Sequence, residues 1–186
     1  MAAENLARAF ASTRNVLSNL KADQLDDDTP CTSWKVRDLV NHIVGGAQWF
    51  GTSTESGDGS GFESSDFTQG DIVATFDEAA ARAVAAFDAP GAQEKIIKLP
   101  FGEFPGAGFM GLAMTDTFQH GWDLAKATGQ STDLDPELAA QLLEGAPQLI
   151  PDQFRGDEPM PFGAKVEAPA GATNADKLAA FLGRQP

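Results

Sequence analysis

The sequence is poor in the residues that would tie it to several large classes of protein. It has one cysteine, Cys31, among 186 residues, so no intrachain disulfide framework can form. That suits a reducing, cytoplasmic setting, which is the expected location. Basic residues are scarce: 13 Lys and Arg stand against 27 Asp and Glu, a formal net charge of −14. A nucleic-acid surface needs clustered Lys and Arg, and an anionic membrane surface repels so acidic a chain, so neither is expected as a partner. The plain consequence of the acidity is solubility. No apolar run approaches the roughly 20 residues that a membrane helix needs. The N-terminus shows no basic stretch leading into an apolar one, so no signal peptide is expected. No internal repeat is visible.

What is present is a chain of 42% hydrophobic residues, enough to build one compact domain over residues 1–186. Leu6, Phe10, Thr13, Leu17 and Leu20 fall at spacings of three and four and predict an amphipathic helix over Ala2 to Leu20. Asp26, Asp27, Asp28 and Pro30 break it. Thr32 or Ser33 can cap a second helix running to about Phe50, with Val36, Leu39, Val40, Ile43, Ala47 and Phe50 as its stripe. The Gly/Ser-rich stretch from Gly51 to Gly70 reads as a mobile loop. An alanine-rich third helix is expected from Asp71 to Phe87, closed by Pro90 and Gly91. Ile96, Ile97 and Leu99 suggest a brief extended piece. A fourth helix should begin after Pro105 and stop at Gly129. Beyond it, Asp135 can cap a helix that has Pro136 in its first turn, residues Pro151 to Pro161 read as loop, and a short last helix spans Asn174 to Leu182. The expected fold is therefore mostly all-α: a four-helix bundle core over 1–129 and a small irregular C-terminal appendage over 130–186.

Histidine is also rare, and its two occurrences carry the chemistry. His42 and His120 each lie inside a long predicted helix, at the border of its apolar stripe. Asp116 precedes His120 by four residues, so both share a helical face. An Asp-xxx-His pair can bite a metal ion from one side, and His42 is the natural third donor. Two imidazoles and a carboxylate leave a position open, as catalytic zinc sites do. The same spacing also describes a helical ion pair beside an ordinary surface histidine. Asp123, three residues after His120, and Asp38, four before His42, read as supporting acceptors, as substitute ligands or as solvated helix acids, and rank below the three named donors.

Two stretches resemble a known family. Thr29-Pro-Cys-Thr-Ser-Trp-Lys-Val-Arg-Asp-Leu-Val-Asn-His42 is similar to the start of the second helix in the DinB-like fold. The closer likeness is to its actinobacterial branch, which includes the metal-binding N-terminal domain of mycothiol-dependent maleylpyruvate isomerase. Asp116-Thr-Phe-Gln-His120-Gly-Trp-Asp-Leu-Ala-Lys-Ala-Thr-Gly-Gln130 resembles the second signature of that branch, and Leu99-Pro-Phe-Gly102 and Leu182-Gly-Arg-Gln-Pro186 also look like it. The resemblance implies a four-helix bundle holding zinc or a similar divalent ion through His42, Asp116 and His120. The branch carries glutamate at the acidic position. Aspartate is one methylene shorter, so the ion would sit closer to the helix or a water would intervene.

The function implied is that of a metal-dependent transferase or isomerase that uses a low-molecular-weight thiol, mycothiol in an actinobacterial setting, against a small electrophile. The ion would lower the pKa of the thiol. A non-catalytic protein that holds metal or a small ligand for sequestration or resistance is the alternative. No basic cluster for an anionic substrate stands out; Arg37, Lys126, Arg155 and Arg184 are the candidates. Cys31 precedes a helix start, where a thiol can be activated, but no histidine is near it in sequence and a packed cysteine is the favoured reading. Trp34, Trp49 and Trp122 read as core or cleft wall, and Trp49 and Trp122, each close in sequence to a metal-ligand candidate, are the two that could line the pocket. Pairing into a homodimer is left open by the exposed helix faces.

Overall fold

A computed structural model describes residues 3–61, 65–156 and 162–186. Six α-helices and one hairpin follow one another: α1 Glu4–Ser18, α2 Val36–Ser56, α3 Ile72–Asp88, β1 Ile96–Leu99, β2 Gly102–Pro105, α4 Gly106–Ala127, α5 Pro136–Leu149 and α6 Asn174–Phe181. The helical bundle expected from the apolar periodicity forms. α1 packs on α4 and α3, α2 on α3 and α4, and α5 mainly on α6. Leu6 of α1, Leu39 of α2, Phe76 of α3, Phe109 of α4, Leu138 of α5 and Leu178 of α6 belong to one continuous hydrophobic core.

Helix ends follow local hydrogen-bonding needs. Asp71 accepts from the Ala74 N–H at 3.0 Å and opens α3, and Asp135 accepts from the Leu138 N–H at 3.1 Å and opens α5 with Pro136 in its first turn. Gly129 ends α4 at φ +68°, a conformation that glycine adopts without cost. α2 departs from expectation at both ends. Its first residue follows Lys35 rather than Thr32 or Ser33, and the Asp38 carboxylate accepts the Lys35 N–H at 3.0 Å. Asp38 is thus a helix-start residue. At the other end α2 continues to Ser56, six residues past Phe50. Gly51 lets the α3 backbone come close, since a Cβ there would lie 3.2 Å from Ala83 N. The hydroxyls of Thr52, Thr54 and Ser56 turn back onto carbonyls one turn earlier, so polar residues that read as loop are absorbed by the helix.

The expected mobile loop is correspondingly shorter and tied down. Gly59 N–H donates to Lys98 O at 2.7 Å and Lys98 N–H to Gly57 O at 3.0 Å, which lays the segment after α2 alongside β1. Phe67 N–H donates to Asn41 Oδ1 at 2.8 Å and opens a 3₁₀ turn over Phe67–Gln69. Residues 62–64 of that stretch lie outside the described residues, as do 157–161 of the loop expected at 151–161, where Asp152–Phe154 forms another 3₁₀ turn.

β1 and β2 pair antiparallel, Ile97 opposite Phe104 and Leu99 opposite Gly102. Period-two alternation buries Ile97 and Leu99 and leaves Ile96 outward. The hairpin therefore delivers the chain into α4 with its turn, residues 100 and 101, projecting past the helix start.

α4 is the central element. Thr117 to Ala125 is buried on every face, because α1, α2 and α6 all cover it. Gly121 makes this packing feasible: a Cβ there would lie 2.4 Å from Thr13 Oγ1 of α1, which donates to the Thr117 carbonyl at 2.8 Å. Trp122 is fully buried and its indole N–H donates to Asp176 of α6 at 2.9 Å. No helix of the described residues is long and apolar enough to cross a membrane.

Candidate metal centre

The residues that the sequence singles out come together where α2 and α4 face each other. His42 projects from α2, and Asp116 and His120 from successive turns of α4. One potential ligand atom from each lies within 4.8 Å of the other two. Asp116 Oδ1 is 3.6 Å from His42 Nε2 and 3.5 Å from His120 Nε2. Two donors each about 2.1 Å from a common ion at a tetrahedral angle lie about 3.4 Å apart, so this donor set fits a small divalent cation. The short aspartate side chain reaches both imidazoles without help.

Neighbouring groups hold the imidazoles. The His120 Nδ1–H faces Asp123 Oδ2 at 3.0 Å, which leaves Nε2 as the nitrogen with a free lone pair toward Asp116 and His42. Asp123 is fully buried. It also receives Gln119 Nε2 at 3.1 Å and both Nε and Nη2 of Arg184, at 3.2 and 3.1 Å. Burial pushes the Asp123 carboxyl up, but the His120 hydrogen bond and the Arg184 charge outweigh it and hold the group below the ordinary carboxylate range. Asp116 is also lowered: burial opposes ionisation, and the two imidazoles that face it, His120 first and then His42, overcome it. For His42, burial favours the neutral ring, yet the Asp116 carboxylate facing its Nε2 at 3.6 Å and the Asp123 charge behind it prevail and raise its pKa. The site is thus an anionic pocket that favours positive charge. The indole of Trp34 packs against both imidazoles, with ring centroids 4.7 Å from His42 and 5.7 Å from His120.

A second cluster of potential donors, Cys31, His120 and Asp123, shares one histidine with the first. It suits a cation poorly, because Arg184 Nη2 already lies 3.1 Å from Asp123 and 3.6 Å from the Cys31 sulfur. The thiol itself is pushed up to about 12, first by burial and then by the Asp123 charge, against the opposing guanidinium. Cys31 is therefore a protonated packing residue that donates to Asp123 at 3.4 Å.

The three donors are among the residues lining a cleft of about 990 Å³. Trp34, Trp49 and Phe109 wall it, the hairpin turn borders it, and Leu182 to Arg184 of the C-terminal tail close one side. Trp49 is held by its indole N–H to Gly59 O at 3.0 Å. Trp122, read as core or cleft wall, is core: it is fully buried and faces α6, because its position on α4 is rotated away from the two ligand-bearing turns. Arg37 pairs with exposed Asp26, exposed Lys126 does not line the cleft, and Arg155 is spent on the Phe181 carbonyl at 2.7 Å and the Phe181 ring. Of the basic candidates only Arg184 reaches the site. It does so through Asp123, 61 residues away in sequence, a link that no spacing rule could reveal.

Residues 6–125 match the family described as the mycothiol maleylpyruvate isomerase N-terminal domain. That span includes His42, Asp116, His120 and Asp123. Two proteins of Mycobacterium tuberculosis, from strains CDC 1551 and H37Rv and both named only as uncharacterized proteins, are 46% identical to the chain over 184 residues. Those alignments cover 99% of this chain and 96% of each relative. No solved structure matches the chain.

Proposed function

The chain belongs to the mycothiol maleylpyruvate isomerase N-terminal domain family, and from that premise we propose that His42, Asp116 and His120 hold one divalent cation, zinc being the best fit, for use with a small thiol of the mycothiol type. The observation that carries this reading is the convergence of the three donor atoms within 4.8 Å in the lining of a large cleft. Two neutral imidazoles and one carboxylate are a donor set that zinc favours, and three protein ligands leave room for a fourth. When bound, the ion would supply Lewis acidity that lowers the pKa of a thiol sulfur brought to it.

The chain's own residues have distinct parts. Asp116 offsets one positive charge and orients both imidazoles by lying between them. Asp123 keeps the His120 proton on Nδ1 so that Nε2 stays available. Arg184 neutralises Asp123, so that its negative charge does not compete for the cation. Trp34, Trp49 and Phe109 line the same cleft and give it apolar walls beside the donors. The activity proposed is transfer of the thiol sulfur to a small electrophile, or isomerisation by way of such an adduct.

Elemental analysis of protein purified without added metal, and again after reconstitution, tests the first step. Wild type should carry one divalent ion per chain, and His42→Ala and His120→Ala should each lose it. Absence of zinc, nickel, manganese and iron from reconstituted wild type would refute the reading. Incubation with mycothiol and a panel of electrophiles tests the second step. Repeated adduct formation supports an enzyme, and stoichiometric capture without turnover would point to a sequestering protein.

A further inference from the structure

We propose that the cleft above His42, Asp116 and His120 takes an uncharged, ring-bearing molecule with an O–H or N–H donor, a phenol or aromatic amide for example, as the partner of the thiol, and that the cleft's own side chains, without metal, reject dicarboxylates. This rests on the reading of that site given above. Among the described residues, seven of the chain's thirteen phenylalanines and three tryptophans line this one cleft. Trp34, Trp49, Phe50 and Phe109 form its inner wall, and Phe101 and Phe104 stand at the hairpin. Flat aromatic walls favour aromatic guests through edge-to-face and offset stacking.

The charges point the same way. Arg184 is the one cationic side chain among the described lining residues. Its Nε and Nη2 are both taken by Asp123, and its Nη1 donates to the Leu182 carbonyl at 3.0 Å. The forked face that would grip a carboxylate is therefore occupied from within the protein. In the metal-free protein Asp116, also in the lining, repels anions. Two carboxylates on a ligand would have to shed water and meet no free cationic side chain in return.

Two further groups await a ligand. Phe101 is 65% exposed, the most exposed large hydrophobic residue among those described, and its ring stands edge-on to Phe104 with centroids 5.6 Å apart. A guest in the cleft mouth would cover it. Deeper in, buried Gln119 donates its amide N–H to Asp123, while its Oε1 accepts no hydrogen bond among the described residues. A ligand O–H or N–H would satisfy that oxygen. The cleft volume of about 990 Å³ is at the upper end for small-molecule sites, so a thiol and a ring-bearing partner can share it.

Calorimetric titration of chelator-treated, metal-free protein with 1-naphthol and, separately, with maleate tests this without reliance on metal or turnover. 1-Naphthol should bind and maleate should not. Phe101→Ala, at a position too exposed to disturb folding, should weaken 1-naphthol by about 2- to 10-fold, the range of one aromatic contact. Maleate binding as tightly as 1-naphthol, no 1-naphthol binding, or an unchanged affinity in Phe101→Ala would each overturn the proposal. Metal loading without 1-naphthol binding would sink this inference and leave the metal reading standing. Binding of 1-naphthol by a protein that takes up no metal would do the reverse.

Discussion

Arg184 lies in the tail after α6, outside any helix or strand, yet its replacement by methionine should be among the most damaging single changes in the chain. Its guanidinium is largely buried and holds both oxygens of Asp123, which is fully buried. Removing one partner of a buried pair leaves the other charge uncompensated, at a cost of about 3–5 kcal/mol. In a chain of this size each kcal/mol moves Tm by roughly 2–4 °C, so Arg184→Met should melt roughly 10 °C below wild type at pH 7. The double variant Arg184→Met/Asp123→Asn leaves no orphaned charge and should recover more than half of the loss. The pH dependence has a definite sign. In wild type the folded-state pKa of Asp123 is lowered, so its contribution is complete above the ordinary carboxylate range and is lost as the pH falls through the folded value. In Arg184→Met, burial without the guanidinium raises that pKa, and acid relieves the penalty by protonating the carboxyl. The gap between the two melting temperatures should therefore shrink from pH 7 to pH 4. Thermal unfolding followed by circular dichroism on chelator-treated protein reads all of this. A single variant within about 2 °C of wild type, or a double variant no more stable than the single, would refute the buried-pair argument.

Two other expectations follow from equally local features. With its pKa pushed up to about 12, Cys31 should react with iodoacetamide at pH 8 at least about 100-fold more slowly in the native protein than in urea, where an ordinary thiol is roughly one quarter ionised; equal rates would show the thiol to be activated or freely exposed. Gly121→Ala drives a methyl group to within 2.4 Å of Thr13 Oγ1 where α1 crosses α4, and should cost about 1–3 kcal/mol in a denaturant melt; adding Thr13→Ala should return part of it, and an unaltered midpoint in the single variant would contradict the close approach.

A good part of the bundle could be read from residue order because helix formation is governed by local periodicity and local caps. The spacing of Leu6, Phe10, Thr13 and Leu17 implies α1, and Asp71, Asp135 and Gly129 announce the start or end of an element by hydrogen bonds or dihedrals confined to a few neighbours. Asp116 and His120 share a helix face for the same reason. Where the reading failed, a distant contact had overruled a local preference. Gly51 to Ser56 looks like loop, and becomes helix because α3 packs closely against Gly51 and buries Ser53 and Thr54. The Gly57 to Gly59 segment is held by β1, whose own partner strand carries too few apolar residues to announce itself.

The site divides along the same line. The sequence by itself determines which residues are chemically fit to hold a cation, since only two histidines exist and one of them has a carboxylate a single helical turn away. Only the tertiary structure decides that His42 meets that pair across α2 and α4, and that Asp123 turns inward to hold His120. It likewise decides that Arg184 is committed to Asp123 instead of a substrate, and that Cys31 is packed. The physical reason is that a hydrogen bond or ion pair depends on a few ångströms of separation in space, and chain distances of 61 and 153 residues carry no record of them until the helices have packed.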